Sequence, residues 1–419
     1  MINQYLAGFD CTCGKHHSCP VDYVAIEHGA ISHLTRLCEK YQNILVVADE
    51  NTFRAAGAKT EAALQGKQYT KLIFDGSTIL IPNEIAVERV QKELPGHDLI
   101  IGIGSGVMQD LCKYVSFFSG VPYFVIATAP SMDGYTSDGA AMIMGGLKVT
   151  YACGLPSVIL ADTEVLKDAP FEMIQAGYGD IVGKYSALND WKLSRAVNDE
   201  YFCQKIYDMT MDSLQRTQSV AEGLVRRDEE SVKILMEALI FVGIAMKFAG
   251  TSRPASGSEH HLSHYFEIVG IERGEPYFPH GIDVAFSTIL MAGIREEILG
   301  KAFPDKLFRQ PREEYEAEIK RVYGSAAEGC IALQDKVGNY AKNRLPVYLE
   351  KEAEIRQILA EMPSAEEITR ILAAVGYDTA DFYKLYDAQK IKDAIPYAKE
   401  LKDRYTVLWL YYDLFGIKE

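Results

Sequence analysis

No uninterrupted apolar run in this chain approaches the roughly 20 residues that span a bilayer, and the N-terminal residues lack the basic-then-apolar order of a secretory signal. Both absences predict a cytoplasmic protein with no membrane insertion. Clustered Lys and Arg are missing too: 43 basic against 58 acidic residues leave a formal charge of −15. Phosphate backbones are held by such clusters, so a nucleic-acid partner is disfavoured, and an anionic substrate needs a local basic pocket. The eight cysteines (11, 13, 19, 38, 112, 153, 203, 330) lack framework spacing, which fits reduced thiols rather than disulfides. Internal repeats and low-complexity linkers are absent as well.

What is present suffices for two cores: 419 residues, 48% apolar and 11% aromatic. From about residue 21 to 165, short apolar runs alternate with helical stretches. Asn43 to Asp49, Lys71 to Asp75, Asp98 to Ile103 and Tyr123 to Ala127 read as buried strands. Glu84 to Leu94 and Val107 to Gly120 read as helices between them, the order of strand-helix-strand units in a parallel sheet. From residue 166 onward the pattern is helical, with amphipathic runs at Asp212 to Glu222, Glu229 to Phe248 and Glu314 to Asn343. The expected fold is therefore an α/β domain over 1–165 followed by a helical domain over 166–419, with an active site in the cleft between them. Quaternary state is open between monomer and homodimer: Leu408 to Tyr412 suits either core or a dimer surface, and core is the preferred reading.

Chemistry-bearing residues concentrate in a few places. His260 and His264 are i and i+4, on one face of a helix, and His280 follows in Phe278-Pro279-His280-Gly281. Asp180 follows two glycines in Gly177-Tyr178-Gly179-Asp180, read as the start of a helix. One carboxylate and two imidazoles would leave coordination positions for substrate. Gly102-Ile103-Gly104-Ser105-Gly106 follows a strand and opens a helix, a setting in which backbone N–H groups hold phosphate. Val107 stands where a G-x-G-x-x-G motif has its third glycine. The next strand ends in a second polar loop, Thr128 to Gly139, at the same sheet edge. Cys11, Cys13 and Cys19 with His16 and His17 offer enough soft ligands for a zinc knuckle. Their C-x-C-x5-C spacing matches no common structural zinc pattern, however, and an ordered turn with reduced thiols is the simpler reading.

G-x-G-S-G-x3-D, T-A-P-S-x-D-G-x2-S, A-G-x-G-D-I-x2-K, S-R-P-A-S-G-S-E-H-x3-H and a later H-G, in that order, resemble the sn-glycerol-1-phosphate dehydrogenases, relatives of iron-type alcohol dehydrogenases, glycerol dehydrogenases and dehydroquinate synthases. The resemblance runs from about Ile44 to Ala285. It implies that Gly104, Ser105, Gly106 and the turn through Val107 into Asp110 hold the dinucleotide pyrophosphate, with Thr128, Ser131 and Ser137 on the cofactor. It implies Asp180, His260 and His280 as ligands of one divalent ion (zinc, nickel or iron), with Asp180 also at the substrate. Asp133 and His264 become substrate-contacting, catalytic groups. Lys184 and Arg253, flanking the metal motifs, are the candidates for the substrate phosphate. Relatives often have Glu after H-G, where this chain has Ile282 and Asp283.

The implied reaction is reversible NAD(P)H-dependent reduction of dihydroxyacetone phosphate, a small phosphorylated three-carbon substrate, to sn-glycerol 1-phosphate. Asp49 at the end of the first strand favours a free ribose hydroxyl, hence NAD over NADP. The competing readings are a glycerol or polyol dehydrogenase, a dehydroquinate-synthase-like lyase, and a non-catalytic nucleotide- or metal-binding protein.

Overall fold

The computed structural model describes residues 2–145 and 147–417, in two compact units. The first runs to Tyr178 and also includes Asp212–Thr251; the second comprises Gly179–Met211 and the chain from Ser252 onward. The division thus differs from the expected break near residue 165. A helical period reports which face is apolar but not which core receives it. The helix Glu229–Ala249 packs in the first unit, where Thr136 Oγ1 donates to the Ile240 carbonyl at 2.7 Å. Gly243 makes that approach feasible, since a Cβ there would lie 2.0 Å from Thr136 Oγ1.

In the first unit the strands are β1 (Phe9–Asp10), β2 (His16–His17), β3 (Tyr23–Glu27), β4 (Asn43–Asp49), β5 (Gln68–Phe74), β6 (Leu99–Gly104), β7 (Tyr123–Ala127), β8 (Gly139–Met144), β9 (Leu147–Ala152) and β10 (Val158–Asp162). Six of them form a sheet in the order β3-β10-β7-β6-β4-β5, parallel throughout. Ile44, Val46, Leu99, Ile101, Phe124, Ile126 and Leu160 lie in its core. Burial on both faces is what makes these strands continuous apolar runs, and it is why β4 and β7 are legible from sequence with their observed bounds. β3 and β10 are not among the strands read from sequence. β1 pairs with β2, and β8 with β9, as separate antiparallel hairpins.

The helices that matter below are α1 (Glu50–Ala63), α2 (Gly106–Ser119), α3 (Phe171–Val182), α4 (Lys184–Asn198), α5 (Glu229–Ala249), α6 (Ser258–Arg273) and α7 (His280–Leu299). Further helices complete the second unit. The amphipathic run from Glu314 is split into Arg312–Tyr323 and Ala327–Val337 at Gly324, whose φ of +51° only glycine adopts readily. Leu408, Trp409, Leu410, Tyr411 and Tyr412 are all buried, so this segment is core. Among the described residues, no helix is long and apolar enough to cross a membrane.

Candidate active site

Asp180 lies in the last turn of α3, not at a helix start, and Lys184 opens the next helix. The glycines before it serve close packing rather than capping. A Cβ on Gly177 would fall 1.8 Å from the Pro130 carbonyl oxygen. On Gly179 it would meet the Tyr377 hydroxyl at 2.3 Å and the Gly281 carbonyl at 2.5 Å; on Gly183, Val284 at 2.6 Å. Gly179 and Gly183, i and i+4, therefore bring the end of α3 against the first turn of α7, whose first residue is His280.

This approach gathers Asp180, His260 and His280, each offering a ligand atom within 4.8 Å of the others. His260 Nε2 lies 3.6 Å from Asp180 Oδ1, close to the roughly 3.4 Å separating two ligands about 2.1 Å from a tetrahedral ion. The other ring nitrogen, Nδ1, faces the Glu259 carboxylate at 2.7 Å. Donation to that carboxylate selects the tautomer whose Nε2 lone pair points at the cluster. Burial, followed by the charge of Lys184, pushes the His260 imidazolium well below its ordinary pKa, so the ring is a neutral ligand. Burial raises the Asp180 carboxyl, but Lys184, His260 and His280 outweigh it and hold the group down to about 2. The donor set thus fits a divalent ion, and zinc, nickel or ferrous iron all suit one carboxylate and two imidazoles. His264 stacks on the His280 ring at a centroid separation of 5.4 Å, and its side chain is 23% exposed.

Lys184 and Arg253 are not positioned to meet a substrate phosphate. Lys184 Nζ is fully buried, 2.7 Å from Asp180 Oδ1, and donates to the Ala255 carbonyl at 2.9 Å. It orients the Asp180 carboxylate. Arg253 is 2% exposed; it donates to Glu200 Oε1 and to the Tyr405 carbonyl, both at 2.7 Å. Such a guanidinium is a structural clamp. Arg253→Met is accordingly expected to lower folding stability by about 1–3 kcal/mol with no rise in the KM for a phosphorylated substrate, as denaturant titration alongside steady-state kinetics would establish.

In the first unit, β5 lies on one side of β4 and β6 on the other, so the C-terminal ends of β4 and β6 flank a topological switch point, where open α/β sheets take ligands. There, Gly104-Ser105-Gly106 leads into α2, whose N-terminus no side chain caps, leaving its N–H groups directed outward. A Cβ on Gly104 would strike Met108 Cβ at 2.5 Å, whereas one on Gly106 would meet nothing within 4 Å. That open space leaves the N–H groups of the first turn of α2 accessible to an anion. Gly106→Ala is expected to leave the melting temperature unchanged while raising the KM for the dinucleotide about tenfold, roughly 1.4 kcal/mol.

The loop from Thr128 is fastened to the same place. The Thr128 N–H donates to the Gly104 carbonyl at 3.3 Å, Gln109 Nε2 to the Gly134 carbonyl at 2.6 Å and Lys113 Nζ to the Gly139 carbonyl at 2.7 Å. Asp133 is buried and precedes the short turn Gly134–Thr136. Ser131 and Ser137 are half-buried, as are Val107 and Asp110. Ser137 Oγ accepts the Gly139 N–H at 3.1 Å, and Asp110 lies 3.6 Å from Lys113. Asp49 has a local duty: its Oδ1 accepts the Asn51 and Thr52 N–H groups at 2.8 and 2.9 Å, capping α1. NAD preference therefore does not follow from this acid.

Sequence reasoning missed three contributors. Glu259 orients His260, as described. Ser263 Oγ lies 3.3 Å from His280 Nδ1. Arg404 donates to the Ser252 hydroxyl and the Ser256 carbonyl at 2.8 and 2.9 Å, bracing the loop before α6. Glu259 and Ser263 sit within the histidine motif, where a search for chelators passes over groups that only orient them. Nothing in the sequence pairs Arg404 with a loop about 150 positions earlier. Asp283 is buried and accepts the Tyr386 hydroxyl at 2.8 and 3.0 Å.

Comparison with known proteins agrees with this architecture. The family profile for iron-containing alcohol dehydrogenase matches residues 25–170. The glycerol-1-phosphate dehydrogenase (NAD(P)+) of Geobacillus stearothermophilus is 30% identical over 417 residues, covering 97% of this chain and 96% of its own. That of Halalkalibacterium halodurans is 31% identical over 411 residues, covering 96% and 94%. Among solved structures, the iron-containing alcohol dehydrogenase of Thermococcus thioreducens superposes with a TM-score of 0.60 at 16% identity, covering 96% of this chain and 94% of that one, which shows a shared fold. The chain belongs to the glycerol-1-phosphate dehydrogenase family, within the iron-type alcohol dehydrogenases.

Proposed function

We propose that this protein catalyses the reversible NAD(P)H-dependent reduction of dihydroxyacetone phosphate to sn-glycerol 1-phosphate, with Asp180, His260 and His280 holding a catalytic divalent ion. The observation that carries this reading is the convergence of those three ligand atoms within 4.8 Å, in a chain whose near-full-length relatives are named for this activity. A divalent ion bound there supplies a Lewis acid that polarises the C2 carbonyl, worth several kcal/mol of transition-state stabilisation. The chain's own groups do the rest. Lys184 and Glu259 hold the ligands in register before substrate arrives, so little reorganisation remains for the reaction. His264, stacked on His280 and partly exposed, would exchange a proton with a substrate hydroxyl, and Asp133 would fix orientation. Gly104, Ser105 and Gly106 leave backbone N–H groups for the pyrophosphate. A homodimer and a cytoplasmic setting remain part of the proposal.

The test is NADH and NADPH oxidation with dihydroxyacetone phosphate, before and after chelation and metal restoration. Glycerol, sn-glycerol 1-phosphate and sn-glycerol 3-phosphate are compared in the reverse direction. Turnover of glycerol matching that of the 1-phosphate would replace the proposal with a polyol dehydrogenase. Phosphate release without NADH oxidation would point to a lyase.

A further inference from the structure

We propose that Cys11, Cys13 and His17 form a second metal site, independent of the catalytic one, that takes a thiophilic divalent cation of the zinc type. Their Sγ and imidazole nitrogen atoms lie within 4.8 Å of one another, and Cys13 Sγ lies 3.3 Å from His17 Nε2. Two ligands of a tetrahedral zinc, at about 2.3 Å for sulfur and about 2.0 Å for nitrogen, are separated by about 3.5 Å. The convergence is built by the backbone. β1 and β2 pair Phe9 with His17 and Asp10 with His16, and the connecting turn is closed by Cys11 N–H to the Lys15 carbonyl and Gly14 N–H to the Cys11 carbonyl, both at 3.0 Å. Gly14, at φ +84°, supplies the left-handed step of that turn.

His17 is prepared as a ligand. It is 1% exposed, and its Nδ1 lies 2.9 Å from the Phe248 carbonyl of α5. Because a carbonyl only accepts, Nδ1 carries the proton and the Nε2 lone pair is left for the thiol side, the arrangement that fixes metal-binding imidazoles elsewhere. The sequence grouped three cysteines, but Cys19 is buried apart from this convergence and His17 takes its place. Two thiolates and an imidazole select zinc over the harder ions that suit the carboxylate-bearing catalytic cluster. A fourth ligand completes the tetrahedral shell that zinc usually takes. The consequence is mechanical: strands of two residues each cannot hold a hairpin by their own ladder, and a metal joining Cys11 and Cys13 to His17 would cross-link it.

The full-length protein, stripped and reloaded with cobalt(II), tests this without reference to activity. A sulfur-to-cobalt charge-transfer absorption is expected in the wild type and in Asp180→Ala, because the catalytic cluster contains no thiolate. Cys11→Ser with Cys13→Ser should abolish that absorption and lose one metal equivalent by elemental analysis, while retaining the equivalent bound at Asp180. Absence of the absorption from folded wild-type protein would overturn the proposal, and that result needs no variant. Its survival in the doubly substituted chain would overturn it equally. Failure of the dehydrogenase assignment would alter neither readout.

Discussion

Asp180→Asn is expected to lower kcat/KM for dihydroxyacetone phosphate about a thousandfold or more, some 4 kcal/mol of transition-state stabilisation. The carboxylate is the sole anionic ligand of the three that converge, and the amide keeps its shape while removing the charge that attracts a cation. His260 and His280 remain in place and Lys184 loses its ionic partner, so a cation approaching the site meets net repulsion. Metal content measured by elemental analysis should fall together with rate. Wild-type turnover in the variant, or full metal occupancy with unchanged kcat/KM, would remove Asp180 from the mechanism.

The second large effect belongs to Lys184, and its sign separates orientation from substrate binding. Lys184 and Asp180 are both completely buried and 2.7 Å apart. Removing one member of such a pair strands the other charge, at a cost of about 3–5 kcal/mol. Lys184→Met should therefore destabilise the metal-free protein by that amount in a denaturant titration. Adding a divalent ion should restore more stability to the variant than to the wild type, because the ion takes over the neutralisation of Asp180. The pH dependence has a defined direction. Folded Asp180 titrates near 2, below its ordinary 3.8, so its pairing stabilises the fold above about pH 4, and that contribution fades as pH falls through the interval between these values. A lysine that bound substrate phosphate would show the reverse pattern: unchanged metal-free stability and a raised KM.

Much of the nucleotide-binding half was legible because its determinants are local. A parallel strand buried on both faces leaves an unbroken apolar run, so β4 and β7 announce themselves, and the glycine turn after β6 sits where a strand becomes a helix. The i, i+4 spacing of His260 and His264 likewise states that they share a helical face.

The amino-acid order by itself determined the parallel sheet, the order of the motifs, the family resemblance and the candidate chelating side chains, since each shows in runs or motifs of a few residues. Only the tertiary structure decided what each charge is for. Lys184 and Arg253 look like phosphate ligands until Asp180 and Glu200 claim them, and Asp49 looks like a ribose contact until it caps α1. His17 looks incidental until the Phe248 carbonyl, 231 positions away, sets its tautomer. The physical reason is that the role of an ionisable group depends on how much water it retains and which partner replaces that water. Both are properties of packing between segments distant in the chain.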